Sequence, residues 1–204
     1  RMTLIPYILY ILKNVNDTSI RNELFRLIES YVLRRIITKE STKTYSKLFT
    51  DLIEKQILCA NDFRQYMKDV DTTHKFPTDQ ELLSGFHHSS LINKQALGVM
   101  YLIETSQYDS KSSTIPLNIK EYSLEHLMPK KWETNWGVAQ NDDYRNKIIL
   151  TLGNLAIITH SLNSSIKNAD WHVKKIGNKK SKGLIEYAQG LKTLTSYLNL
   201  ASWD

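Results

Sequence analysis

One cysteine, Cys59, stands among 204 residues, which excludes an internal disulfide framework and any cysteine-based zinc knuckle. A lone thiol in an apolar, helical stretch reads as a buried structural group, and its chain as suited to a reducing compartment such as the cytoplasm. No run approaches the roughly 18 apolar residues needed to span a bilayer. The opening segment is no signal peptide, because Pro6 and Lys13 interrupt its short apolar run. No membrane partner is expected. Glycine is also scarce: Gly85 and Gly98 are the only two before residue 137. The first residue is Arg rather than Met, which reads as the start of a fragment.

What is present is ordinary for a globular chain: 41% hydrophobic and 24% charged residues, enough for one large domain or two small ones. The net charge is +6, and its distribution is uneven. Residues 163–182 hold six lysines against one acid, Asp170. Such a strip suits a polyanionic partner, because neutralising phosphates releases counterions.

Residues 4 to about 106 carry helical periodicity. Ile20, Leu24, Leu27, Ile28 and Tyr31 form one stripe, with Asp17, Thr18 or Ser19 as its N-cap. Tyr45, Leu48, Phe49, Leu52, Ile53 and Ile57 form a second, started by Ser41 or Thr42, and Phe63, Tyr66, Met67 and Val70 a third. Pro77 and Thr78 open another helix, and residues 96–105 supply one more. Each stripe buries one face, so a helical bundle is expected over residues 1–110. Arg34–Arg35 and His87–His88 are expected at the surface or at helix ends.

A polar stretch at residues 108–114 marks the boundary to a second domain, residues 111–204. Two short strand-like segments follow, residues 115–119 and 122–127, the second ended by Pro129. A loop rich in Trp, Asn and Gly leads to a helix at 143–150. Gly153–Asn154 then turns into a strand at 155–159, residues 162–168 turn again, 169–176 look helical, and a last helix runs from 183 to 198. The expected class is mainly α with a small α+β part.

The chemistry concentrates in Glu125-His126-Leu127-Met128-Pro129, with Asn154 following His126 by 28 residues and Asn163 nine further on. Glu125 and Asn163 can hold a hard cation through oxygen, and His126 can take a proton from water near neutrality. This pentapeptide, Gly153-Asn154-Leu155 and the segment Leu162-Asn163-Ser164-Ser165-Ile166-Lys167-Asn168 resemble the HNH-type, His-Me finger nuclease domain at the C-terminus of GmrSD-type restriction enzymes. The spacing is also similar to the HNH domain of RNA-guided CRISPR nucleases.

The resemblance implies a ββα-metal (His-Me finger) fold after the helical bundle. It implies His126 as general base, Asn154 as the residue orienting it, and Glu125 and Asn163 as ligands of one Mg²⁺ or Mn²⁺, with Asn168 supporting from behind. Asn163 stands where the name-giving motif has its final histidine. The implied activity is metal-dependent DNA endonuclease cleavage, by nicking, as the effector of a bacterial anti-phage restriction system. The implied partners are DNA and an N-terminal nucleotide-binding sensor domain outside this sequence. Lys130, Lys131, Lys167, Lys174, Lys175, Lys179 and Lys180 are expected to contact backbone phosphates. His160 and His172 fall on no matched position, and Trp132, Trp136 and Trp171 are expected to anchor a thin core. The competing expectation is a non-catalytic DNA-binding module that retains the nuclease fold.

Overall fold

A computed structural model describes residues 2–108, 118–137, 141–187 and 191–203. Its contacts divide the chain into two compact units, Arg1–Gly85 and Phe86–Asp204. Helices are the only regular secondary structure among the first unit's described residues. It holds α1 (Ile5–Asn14), α2 (Thr18–Ile37), α3 (Tyr45–Glu54), α4 (Ala60–Asp69) and most of α5 (Asp79–His88). Asp17 caps α2, its carboxylate accepting from the amides of Ser19 and Ile20 at 2.8 and 3.1 Å. The expected stripes meet in one core: Tyr7, Ile11, Leu24, Ile28, Tyr31, Leu48, Phe49, Leu52 and Phe63 are all buried. Each fully buried aliphatic or aromatic side chain there contributes roughly 2 kcal/mol.

Two local expectations are corrected and a third is sharpened. The residue before α3 is Thr44, with no side-chain cap bond, rather than Ser41 or Thr42. Cys59 is half-buried and lies outside the helix as the N-cap of α4, its sulfur accepting from the Asp62 amide at 3.4 Å. Arg35 takes the helix-end alternative expected for it, in the last turn of α2, but not the surface one. It is fully buried near the end of α2 and donates to the main-chain carbonyls of Ser41 (2.7 Å), Thr73 (2.9 Å) and Lys75 (3.1 Å). The rings of Tyr31 and Tyr45 flank its guanidinium at 5.5 and 5.6 Å. A planar fork with five donors can gather three loop carbonyls that no apolar residue could satisfy. Arg34 does stay near the surface, paired with Asp79 and bonded to the Pro77 carbonyl.

The second unit is built on two antiparallel strands, β1 (Tyr122–His126) and β2 (Leu155–Thr159), paired Tyr122 to Thr159 through His126 to Leu155. Residues 155–158 of β2 are all buried, which explains its unbroken apolar run. Ala156 and Ile158 face a cluster of Leu127, Leu162, Ile166, Trp171, Leu184 and Leu194. α6 (Asn93–Ser106), which the sequence reading joins to the preceding helices, belongs to this unit and packs against both strands.

α7 (Asp142–Ile148) follows the excursion from β1, and α8 (His160–Ile166) starts directly after β2. Residues 162–168 were expected to turn, and most of them are helix instead. Thr159 caps α8 by accepting from the Leu162 amide, and Leu162 and Ile166 sit one helical turn apart on the buried face. α9 (Trp171–Ile176) is capped by Asp170. The single closing helix expected at 183–198 is two pieces, α10 (Leu184–Tyr187) and α11 (Lys192–Leu198). The strand expected at 115–119 falls largely outside the described residues; a 3-10 turn covers Ile119–Glu121. Among the described residues no helix is long and apolar enough to cross a membrane.

Replacing Arg35 with Met strands the carbonyls of Ser41, Thr73 and Lys75 in the core. Urea unfolding of Arg35→Met is expected to show a loss on the order of 3 kcal/mol, and Arg35→Lys, lacking the fork, to recover little of it.

Candidate active site at the end of strand β1

Successive residues of a strand point to opposite faces, so Glu125 and His126 diverge at the end of β1. Glu125 pairs across the ladder with Ala156 and turns toward the buried helical side; His126 pairs with Leu155 and turns the other way. Both line one cavity of about 340 Å³, together with Asn163 and Asn168, the basic rim of Lys130, Lys131 and Lys167, and Lys174 at its base. The fold therefore brings Glu125, His126 and Asn163 together, although 37 positions separate His126 from Asn163 in the chain.

His126 is half-buried, and neither ring nitrogen is hydrogen-bonded among the described residues. Burial, and then the charges of Lys130 and Lys174, bring its pKa down to about 4. The imidazole is therefore neutral at neutral pH, with a lone pair open to a water molecule.

Asn163 projects from α8, and its amide nitrogen donates to Ser123 Oγ and to the Leu124 carbonyl, each at 3.0 Å. Those two bonds fix the amide plane and leave Oδ1 with no protein partner among the described residues. Glu125 is 5% exposed. Its Oε1 meets the ammonium of Lys174, and the carboxylate also accepts from the His126 backbone amide. Burial pushes the Glu125 carboxyl up and the Lys174 ammonium down, and each partner's charge opposes the other's shift.

Asn154 is nearly buried and uses its whole amide. Oδ1 accepts from the Met128 amide at 2.8 Å and from Trp203 Nε1 at 3.0 Å. Nδ2 donates to the carbonyls of Met128 (2.8 Å) and Ile149 (3.0 Å). Its own carbonyl accepts from the Leu127 amide at 2.9 Å. It thus grips the chain one and two residues beyond His126 and does not line the cavity itself. The short turn Leu152–Asn154 delivers it there.

Lys174 departs from its expected place. It is fully buried and points inward from α9, rather than outward to a phosphate. Lys175 bonds the Leu200 carbonyl at 2.8 Å. Lys179 and Lys180 are exposed in a turn closed by the bridge between Gly177 and Lys182. Gly177 has φ of 92°, and a Cβ there would lie 2.5 Å from the Ser181 carbonyl oxygen, so only glycine fits. Asn168 lines the cavity with an exposed side chain, while its main-chain carbonyl accepts from Asn135 Nδ2 at 2.7 Å.

His160 and His172 are exposed and do not line the cavity. Trp132 and Trp171 are buried and Trp136 half-buried. The indoles of Trp132 and Trp136 donate to Asn146 Oδ1 and the Ala169 carbonyl. Sequence reasoning missed the inward role of Lys174. The one available signal was its place on a helix beside Trp171, one turn from the capping Asp170.

Among the described residues no three His, Cys, Asp or Glu side chains cluster as a metal site. The donor set is instead one carboxylate and one amide oxygen, both on one cavity. That fits Mg²⁺ or Mn²⁺, which keep several waters and take one or two protein oxygens, better than Zn²⁺.

Comparison with known proteins adds one match. A family model described as GmrSD restriction endonucleases, C-terminal domain, matches residues 76–203, more than half of the chain and every residue of the cavity. Neither curated proteins nor solved structures give a match.

Asn154→Ala removes both bonds to Met128. The expected result is a loss of about 2–3 kcal/mol, together with markedly faster hydrogen exchange at the Leu127 and Met128 amides. Unchanged exchange there would show that another contact holds the loop.

Proposed function

Because the chain belongs to the family of GmrSD restriction endonuclease C-terminal domains, we propose that it is a metal-dependent DNA endonuclease acting as the effector of a restriction system that cuts invading DNA. Family membership carries the coarser part, a nuclease role in restriction with DNA as the substrate. The finer reading rests on one observation. A neutral histidine with both ring nitrogens uncommitted shares a lysine-rimmed cavity with two oxygen donors, the Glu125 carboxylate and the Asn163 amide.

In this reading β1, β2 and α8 form a ββα-metal (His-Me finger) unit. Lys130, Lys131 and Lys167 draw in the phosphodiester backbone, supplying the charge that a polyanion needs and no base readout. His126 accepts a proton from water at an imidazole nitrogen as the water oxygen attacks phosphorus. The bond from phosphorus to the leaving sugar oxygen breaks, and that oxygen takes a proton from solvent. Asn154 keeps the segment after His126 from drifting, so the ring holds its angle to the scissile phosphate. Glu125 and Asn163 would hold one Mg²⁺ or Mn²⁺, which when bound supplies positive charge to the phosphoryl and leaving oxygens.

Each described chain presents one such centre, so the simple product from supercoiled plasmid is the nicked circle. Lys174, with its charge turned inward, is left out of the phosphate-binding set. An N-terminal nucleotide-binding sensor domain remains the proposed partner that selects which DNA is cut.

Incubating supercoiled plasmid with Mg²⁺ or Mn²⁺ is expected to yield nicked circles, and chelation to stop it. His126→Ala is expected to slow nicking by about 100-fold or more with DNA binding preserved; undiminished cutting would sink the assignment. A chain that binds DNA but yields no product at any metal concentration would instead be a binding module. Replacing Lys130 and Lys131 together with Ala should weaken DNA binding in gel shifts for every sequence tested. It should also reduce the salt dependence of log K by up to about 2.

A further inference from the structure

The endonuclease reading makes no use of Lys174, which with Glu104 is one of two fully buried charges among the described residues of the second unit. Lys174 is fully buried, whereas Lys130, Lys131 and Lys167 on the same cavity are exposed and can swing into solvent. From α9 its ammonium reaches two groups at the end of β1, nearly fifty residues earlier in the chain. It pairs with Glu125 Oε1 and donates to the His126 carbonyl at 2.7 Å. Asp170, capping the helix that carries Lys174 through the Val173 amide at 2.9 Å, fixes where that helix starts. Trp171, one turn before Lys174, is locked among Leu162, Ile166 and Leu184. The side chain is thus aimed by its scaffold and has no solvated alternative.

We propose that Lys174 is the resident cation of the site. It is a positioning residue that holds the Glu125 carboxylate and the His126 main chain in register, and it sets how tightly a divalent ion can bind. This rests on the reading of Glu125 and Asn163 as the oxygen donors. With Oε1 on the ammonium, Glu125 has only Oε2 to offer beside Asn163 Oδ1. Both oxygens belong to one carboxylate, so a divalent ion and the ammonium must sit within a few ångströms of each other. Their repulsion is only partly screened where both sit against a buried carboxylate. The lysine therefore weakens ion binding while it keeps the carboxylate charged and oriented before an ion arrives. The bond to the His126 carbonyl gives the same ammonium a hold on the residue that takes the proton.

The test uses the whole chain and Mn²⁺ alone, with binding read by electron paramagnetic resonance. Lys174→Gln keeps a hydrogen-bond donor and removes the charge; Lys174→Arg keeps the charge. Mn²⁺ is expected to bind about tenfold more tightly to the Gln variant and within about threefold of the parent to the Arg variant. The proposal is overturned if the Gln variant binds no tighter than the parent, if both variants tighten alike, or if neither the parent nor the Gln variant binds Mn²⁺.

Should Lys174→Gln fail to fold, the parent with ¹⁵N-labelled lysine answers the same question. The Lys174 Nζ resonance should move on addition of Mg²⁺ with the midpoint of ion binding, and a stationary resonance overturns the proposal. Plasmid nicking by the parent is scored separately. Its absence alongside the expected Mn²⁺ shift removes the endonuclease reading and leaves the assignment of Lys174 standing.

Discussion

The site at the end of β1 depends on a carboxylate that cannot stay charged in the core without a cation. Glu125 is 5% exposed and lies opposite Ala156, which packs with Leu162, Ile166 and Trp171. An ionised carboxylate in such surroundings costs several kcal/mol unless it is paired and hydrogen-bonded. Lys174 meets that need, and to reach it α9 must begin at Asp170 and lie close under the strand end. A buried ion pair of this kind adds little net stability compared with apolar residues of the same volume. Its presence is better explained by the fixed, charged oxygen it leaves facing the cavity.

A second constraint keeps the corner from sliding. Strand alternation sends Glu125 and His126 to opposite faces, and that divergence survives only while the chain beyond His126 stays put. Asn154 holds it by bonding both main-chain groups of Met128 and by accepting the Leu127 amide on its own carbonyl. An amide side chain suits this place because it donates and accepts in one plane, matching a peptide group. Asp would lose the donors and Leu would lose both functions. Asn163 works similarly on the other side, its nitrogen committed to Ser123 and Leu124 so that its oxygen has one direction left. Two asparagines thus fix geometry through bonds to the main chain, which a change of side chains elsewhere disturbs little.

Much of this was legible beforehand because it follows from local rules. The helical stripes of residues 20–31 and 45–57 have the 3–4 spacing that any packed helix needs, and they appear as α2 and α3, with Ile57 beyond the end of α3. The strand expected at 155–159, apolar through Ile158, is β2 to the residue. Glu125, His126 and Asn163 were named from motif order, and they do meet on one cavity. The failures share a cause. Residues 162–168 looked like a turn because Asn and Ser dominate them, yet Leu162 and Ile166 had a core to enter and Thr159 could cap the helix. Lys174 looked like a surface charge because nothing nearby in sequence could neutralise it; its partners, Glu125 and His126, lie 49 and 48 residues away. Two of the three carbonyls that Arg35 gathers, those of Thr73 and Lys75, are likewise 38 and 40 residues distant.

The sequence by itself determined the class of the chain: mainly helical, with one short strand pair carrying an acid and a histidine next to each other, and a basic strip after them. Those properties depend on residue type and spacing within a few turns of chain, where sterics and side-chain alternation act directly. Only the tertiary structure decided which lysine is a rim charge and which is a buried counter-ion, and which asparagine faces the cavity and which grips the loop behind it. Long-range packing sets these outcomes, because a charge or an amide is assigned its role by whatever group the fold places within about 3 Å of it.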